Sequence, residues 1–400
     1  MWTKWGCKAS VLCAPGFTGD RCSECADRWY RSKSTCERCP ELSMLYMFIF
    51  VLALMALLGA ANVLMRLGTS LAPLTIAMDY FQVLGRFGSI DLQWSNSTMS
   101  LLNSFEFFEL DIQLTAPECF VKAGFHTKWL GVQSLPLICA GMLLAQYLMW
   151  LVVARKISQE VKLRQRERLA GVMLLMLQER DMTLVSKTLE VFDCNPLADG
   201  SRVLAADPTI ICGTAEHKRL QLLGSVTTVV YLFGIPGLFA WCLLVARRRI
   251  RAARKAALSE EVAIVERHGI KPDEAPDGHA AATELRDVEG RLQETLLRVE
   301  TTFGCLYRRF TFESQYWLLM LTARKLGITF VGTMLTLRPR TQSALILAIL
   351  VIAMALQLSQ KPYCRIDSGV LDIVKSSTAA DKHDAMATWK QRLRRFGKML

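Results

Sequence analysis

Two uninterrupted apolar runs govern what this chain can fold into. From Leu42 to Met65 there are twenty-four residues without a charge, and from Leu220 to Ala246 twenty-seven. A helix needs about 20 residues to cross a hydrocarbon core about 30 Å thick, so either run is long enough. The first starts too late, and its apolar core is too long, for a secretory signal peptide. Only 21% of the 400 residues are charged, against about 25% in soluble proteins, and 52% are hydrophobic. The expectation is a multi-pass membrane protein whose first partner is the lipid bilayer. The net charge of +12 then reads as cytoplasmic loop charge, and nucleic acid is not an expected partner.

Thirteen cysteines are unevenly placed, with Cys7, Cys13, Cys22, Cys25, Cys36 and Cys39 in the first forty residues. Cys22/Cys25 and Cys36/Cys39 form a CxxC…CxxC that could hold zinc on four thiolates, although its ten-residue spacer is short for that signature. The other reading, which we prefer, is a disulfide-stapled module, because so short a segment cannot bury an adequate core. Pro15 with Gly16, and then Gly19, supply the tight turns of a short stapled loop between Cys13 and Cys22. Cys13-Ala-Pro-Gly-Phe-Thr-Gly-Asp-Arg-Cys22, Ser23-Glu24-Cys25 and the pair Trp29-Tyr30 before Cys36 resemble the C-terminal half of a laminin-type EGF-like module. The resemblance implies that Cys13 pairs with Cys22 and Cys25 with Cys36, in an extracellular module over residues 1–41. The module's first cysteines are absent, Cys7 lacks an obvious partner and no secretory signal opens the chain, so an incomplete start is expected.

Lys/Arg asymmetry orients the spans. Leu130–Val153 is followed by Arg155, Lys156, Lys162, Arg164, Arg166 and Arg168, and Leu222–Ala246 by Arg247, Arg248, Arg249, Arg251, Arg254 and Lys255. Two inward-running helices need an outward one between them. Leu169–Leu189 is the candidate, despite Gln178-Glu179-Arg180-Asp181. Likewise Leu71–Ile90 must return the chain after Leu42–Met65, although Asp79 and Arg86 interrupt it. Tyr316–Leu337 and Ser343–Leu358 complete seven helices, N-terminus outside and C-terminus cytoplasmic. The expected fold is an all-α membrane bundle over residues 42–364, with a cytoplasmic insertion at 247–310 and a basic cytoplasmic tail at 365–400. One pattern opposes it: Arg28, Arg31, Lys33 and Arg38 precede the first span, and only Arg66 closely follows. A cytoplasmic zinc-binding head with six helices is the alternative. Seven is preferred because folded domains translocate largely regardless of charge.

Asn96-Ser97-Thr98 is a glycosylation sequon that both schemes place outside. Cys194 and Cys212 bracket another outside loop, where a disulfide closing seventeen residues would stabilise by about 3 kcal/mol. That loop reads as a rigid lid on the fifth helix, in which Gly234 and Pro236 predict a kink. Beyond a polar breaker at residues 271–278, Leu285, Val288, Leu292, Leu296 and Val299 recur at three- and four-residue spacing. They predict an amphipathic helix lying beside the bundle or on the membrane surface.

Charges inside the spans pose the sharpest question. Asp79 sits mid-span in the second helix and Arg324-Lys325 in the sixth. An unpaired charge at bilayer depth costs at least about 2.5 kcal/mol, so an Asp79–Arg324 pair is expected. Glu179, Arg180 and Asp181 are candidates to join it. A path for ions or small solutes and a structural bridge are equally open readings.

A longer succession also carries a resemblance. It comprises Cys194-x-x-x-x-Asp199-Gly200, Leu204 through Cys212, Tyr231-x-x-Gly234-Ile235-Pro236, Phe303-Gly304-x-Leu306-Tyr307, Tyr316-Trp317, Arg324-Lys325 and Gln360-Lys361-Pro362-Tyr363. Together these resemble the multi-pass TRP-like proteins of fungi and protists, in which EGF-like or ephrin-receptor-like cysteine modules often precede the helices. Leu318 stands where a glutamate commonly follows the Tyr-Trp pair. The resemblance implies an ion channel or transporter. A seven-helix cell-surface receptor or adhesion protein, binding an extracellular protein ligand through its cysteine module, is the other reading. Against a G-protein-coupled receptor, Val153-Ala154-Arg155-Lys156 replaces D-R-Y, and N-P-x-x-Y is missing. His126, His217, His268, His279 and His383 show no ligand spacing, and there is no Walker loop, G-x-G-x-x-G or G-x-S-x-G. No catalytic residue, metal site or cofactor is expected, and the oligomeric state is not legible. In sealed vesicles, endoglycosidase should remove a glycan from Asn96, and protease on the cytoplasmic side should cleave near Lys390. A tail protected from that side overturns the orientation.

Overall fold

In the first of the chain's two units, charged side chains are buried and large apolar ones are exposed. The computed structural model describes residues 13–19, 22, 24–32, 35–41, 43–67, 71–88, 90, 94–105, 119, 124–153, 156, 158–197, 200–269, 279–310 and 314–363. Cys7, the breaker 271–278 and the tail 365–400 lie outside the described residues. The chain forms two units, Met1–Ala240 with Leu318–Gln360, and Trp241–Trp317 with Lys361–Leu400.

The first unit opens with two antiparallel hairpins, β1 (Phe17–Thr18) with β2 (Glu24–Cys25), and β3 (Trp29–Ser32) with β4 (Thr35–Arg38). Strands this short bury little, and covalent staples hold them: Cys13–Cys22, Cys25–Cys36 and Cys39–Cys119 are disulfides. The four cysteines of the CxxC…CxxC pattern are thus all oxidised, spread over three bridges. Gly16 is required where it stands, with φ +88° and no room for a Cβ, which would fall 2.4 Å from the Trp29 ring.

Helices follow: α1 (Ser43–Arg66), α2 (Ala72–Gly88), α3 (Asn96–Phe105), α4 (Phe125–Gln133), α5 (Leu135–Val153) and α6 (Gln159–Leu189). A hairpin of β5 (Cys194–Pro196) and β6 (Arg202–Leu204) leads to α7 (Ala215–Thr228), a π-helical stretch Val229–Gly234, and α8 (Ile235–Arg267). Then come α9 (His279–Tyr307), α10 (Trp317–Met334) and α11 (Pro339–Gln360). Among the described residues four helical stretches are long and apolar enough to cross a membrane: Phe48–Arg66, Leu135–Val153, Ala215–Arg267 and Pro339–Gln360. They expose Phe48, Leu137, Val153, Leu222, Phe233 and Leu358, a coat that a surrounding apolar phase would stabilise. This is compatible with a membrane location. The remaining three expected spans lie in α2, α6 and α10, whose composition does not by itself mark them as crossing.

Helix α6 is the axis of the first unit. Residues 178–186 are buried without a break, which at 3.6 residues per turn covers every side of the helix. Protein rather than lipid surrounds it, so its polar residues need not be apolar to be buried. One apolar layer joins Leu54 and Leu58 of α1, Leu135 and Leu143 of α5, and Val172 of α6. Another joins Val83 of α2, Met182 of α6, Ile328 of α10 and Ile346 of α11.

Three elements differ from expectation. Leu130–Val153 parts into α4 and α5 at Ser134, because Pro136 has no N–H to return to Val132. The predicted kink takes the form of a π-helical stretch ending at Gly234. Pro236, lacking an N–H, leaves the Leu232 carbonyl without its usual donor, and a wider turn re-routes the ladder. Finally, α8 does not stop at Ala246. Its extension presents Ala257 and Ile264, and the amphipathic α9 packs Leu285, Val288 and Leu292 onto them. Peptide mapping without reductant should recover the Cys39–Cys119 link. Replacing Cys119 by Ser should lower the unfolding temperature, since a bridge closing a loop of this size contributes between about 3 and about 4.7 kcal/mol. Bound zinc with free thiols at these positions would reverse the assignment.

Candidate functional site: a buried charge layer

Helices α2 and α10 each carry a polar stripe. On α2, Thr75, Asp79, Gln82 and Arg86 are spaced by four, three and four residues. On α10, Thr322, Lys325, Thr329 and Thr333 are spaced by three, four and four. These spacings put each set on one helix face. Both stripes reach α6. The Lys325 ammonium is ion-paired with Asp79 and stands 3.7 Å from Asp181 Oδ1. It also donates to Gln82 Oε1 at 3.5 Å. Gln82 Nε2 in turn donates to the Glu179 carbonyl at 2.8 Å, and Arg86 Nη1 donates to Ser186 Oγ at 2.9 Å.

Lys325 is 2% exposed and Asp181 1%, so the layer is closed from solvent. Two carboxylates, Asp79 and Asp181, share the Lys325 ammonium. Asp181 Oδ1 accepts from the Met182 N–H at 2.7 Å. Its Oδ2 is buried and has no hydrogen-bond partner among the described residues. Glu179 and Arg180 are buried in the same turn of α6.

The expected Asp79–Arg324 pair is corrected by one residue: the partner is Lys325. One position turns a side chain by about 100° around a helix, and the stripe's phase belongs to Lys325. Arg324 is half-buried and makes no ion pair among the described residues. Gln82, Ser186 and the α10 threonines went unrecognised, although polar residues at helical spacing within apolar segments are a readable signal.

The lid forms a second cluster. Cys194 and Cys212 are disulfide-bonded, and Cys194 Sγ lies 3.9 Å from His217 Nε2. The Gly213 N–H donates to His217 Nδ1 at 3.2 Å, so the ring proton sits on Nε2 and is donated to the Val191 carbonyl at 3.1 Å. Two cysteines and a histidine this close would suit a metal. Here neither sulfur is a thiolate and the imidazole donates from the nitrogen nearest them, so the trio clasps the lid onto α7. Trp129, Val191, Leu204, Ile210 and Leu220 pack around it. Asn96 is exposed at the first turn of α3.

No protein-family model, curated protein or solved structure matches the chain. Fold and site thus define only a class: a mostly helical protein with a disulfide-rich N-terminal region and, among the described residues, four helical stretches apolar enough to cross a membrane. Within it, Lys325→Met leaves Asp79 and Asp181 with no shared cation and is expected to cost about 3–5 kcal/mol, as for other broken buried pairs. Asp79→Asn leaves Lys325 a second carboxylate and should cost less, as should the double neutral variant. Unfolding temperatures in detergent rank the three, and a Lys325→Met protein as stable as wild type would refute the pairing.

Proposed function

We propose that this chain is an integral membrane transport protein that moves a proton or small cation, with Asp79, Asp181 and Lys325 as its ion site. The observation that carries the reading is the Asp181 Oδ2 atom. A buried acceptor without a partner costs about 1–3 kcal/mol, more when charged, and a purely structural bridge has no use for it. A proton or a cation at that oxygen answers the missing partner. The α2 stripe extends polar groups along about 16 Å of helix, at 1.5 Å per residue, on either side of the triad. In this reading Lys325 is a tethered cation that competes with the transported one.

The seven-span arrangement with the N-terminus outside, the EGF-like character of the module, a glycan on Asn96 and kinship with TRP-like channels belong to the same proposal. Its support is that each expected span coincides with helix and that the intramembrane charges meet. The Cys39–Cys119 bridge favours a second reading, a receptor, because it ties the cysteine module to the segment entering α4. Full-length protein in proteoliposomes decides between them. Proton, sodium or potassium flux is expected from wild type, with at least about a tenfold loss in Asp181→Asn, equivalent to about 1.4 kcal/mol on the barrier. Lys325→Arg should retain flux. Wild-type vesicles that pass none of these ions would overturn the transport reading.

A further inference from the structure

Helix α8 carries a charge asymmetry that neither the ion site nor helix packing uses. Six of the nine residues from Arg247 to Lys255 are basic. Three of these are engaged by the protein itself. Arg249 lies over the Phe303 ring at 6.0 Å, and Arg247 and Arg254 are half-buried. The other three, Arg248, Arg251 and Lys255, are exposed and make no ion pair among the described residues. Their spacing of three and four puts them on one face, and the same face continues back through Leu244 and Trp241, which are 54% and 60% exposed. One stripe therefore passes from an exposed aromatic and an exposed aliphatic residue to three cations within about 21 Å of helix.

Acidic residues enter α8 only at Glu260, where pairing with α9 takes over: Glu260 meets Arg291, and Glu284 meets Arg267. Helix pairing is thus served by mixed charges, whereas the stretch before it is purely positive and open on one side. An aromatic at the edge of an apolar run, followed by basic residues, is the pattern of a helix leaving a bilayer. Long Arg and Lys stems can also lie along apolar surface while their charged ends reach the headgroups. We propose that Arg248, Arg251 and Lys255 bind the phosphate-bearing headgroups of anionic phospholipids in the leaflet from which α8 emerges, with Trp241 and Leu244 against the acyl boundary. The inference rests on the membrane location of α8 but not on the ion site, and its test reads lipid binding rather than flux.

The test takes the full-length protein in detergent micelles doped with equal amounts of phosphatidylserine and phosphatidylcholine, and counts retained lipids by native mass spectrometry. Wild type should retain phosphatidylserine preferentially. The preference should fall on the order of a hundredfold in Arg248→Gln/Arg251→Gln/Lys255→Gln, since each basic side chain near an anionic surface contributes about fivefold. It should weaken in 1 M salt, where the screening length shrinks to about 3 Å. Arg248→Lys/Arg251→Lys keeps the charge and should keep the preference. Equal retention of both lipids by wild type, or a preference unchanged in the glutamine variant, overturns the proposal. Displacement of bound lipid by an equal concentration of inorganic phosphate also overturns it, because the face would then select a free anion rather than a lipid.

Discussion

A single ammonium, that of Lys325, meets carboxylates from two other helices and so joins three. Between helices surrounded by lipid the hydrophobic effect largely vanishes, and packing and polar contacts decide which faces meet. Lys325 of α10, set against Asp79 of α2 and Asp181 of α6, fixes that choice. Turning either outer helix would part the ammonium from its carboxylates. The apolar layers then fall into place on either side, α1 and α5 against Val172, and α2, α10 and α11 around Met182. Buried ion pairs are poor sources of net stability, since apolar groups of like volume often serve as well or better. A triad with an unsatisfied carboxylate oxygen is poorer still.

The four apolar stretches were legible in the sequence because their surroundings and their composition agree. Helix α6 was not legible that way. Its surroundings are protein, so hydropathy says nothing about it, and only the alternation of basic loops called for a helix between Leu169 and Leu189. The charged layer was legible as a set of residues but not as a set of pairs. Choosing between Arg324 and Lys325 depends on helix phase, which Thr322, Thr329 and Thr333 record and a search confined to charges overlooks. Cysteines show the same division. Cys194 and Cys212 bracket a short loop, so local spacing suggested their bond, whereas Cys39 and Cys119 are 80 residues apart and meet only once the module sits on the bundle. The role of His217 depends on the Val191 carbonyl and the Gly213 N–H, partners that tertiary structure alone supplies.

Helix α6 connects the lid to the charge layer. At its C-terminal end Trp129 Nε1 donates to the Lys187 carbonyl at 2.8 Å, and Gln133 Nε2 donates to Thr188 Oγ1 at 3.0 Å. Tyr231, within the π-helical stretch, donates to the Gln133 carbonyl at 2.6 Å. The collar thus binds α4, α6 and the π-helical stretch about two turns from Asp181, along a helix about 46 Å long at 1.5 Å per residue. The lid clasp holds α7, which runs directly into that stretch.

Distance alone does not couple two sites; an element with two discrete arrangements does. The π-helical stretch is the element here with an alternative close at hand. A π turn holds more residues than an α turn, and π segments are rare and tend to sit at functional positions. Were Val229–Gly234 to rewind as α-helix, the faces on its two sides would turn relative to each other, by about 100° for each residue of register. Tyr231 would then swing away from the Gln133 carbonyl, and the collar at the end of α6 would lose its link to α7. In the present geometry the π form goes with that hydrogen bond and with Pro236, which withholds the donor an α turn would need. The π-helical stretch between α7 and α8 is therefore a backbone form that its own sequence and the collar at the end of α6 favour together.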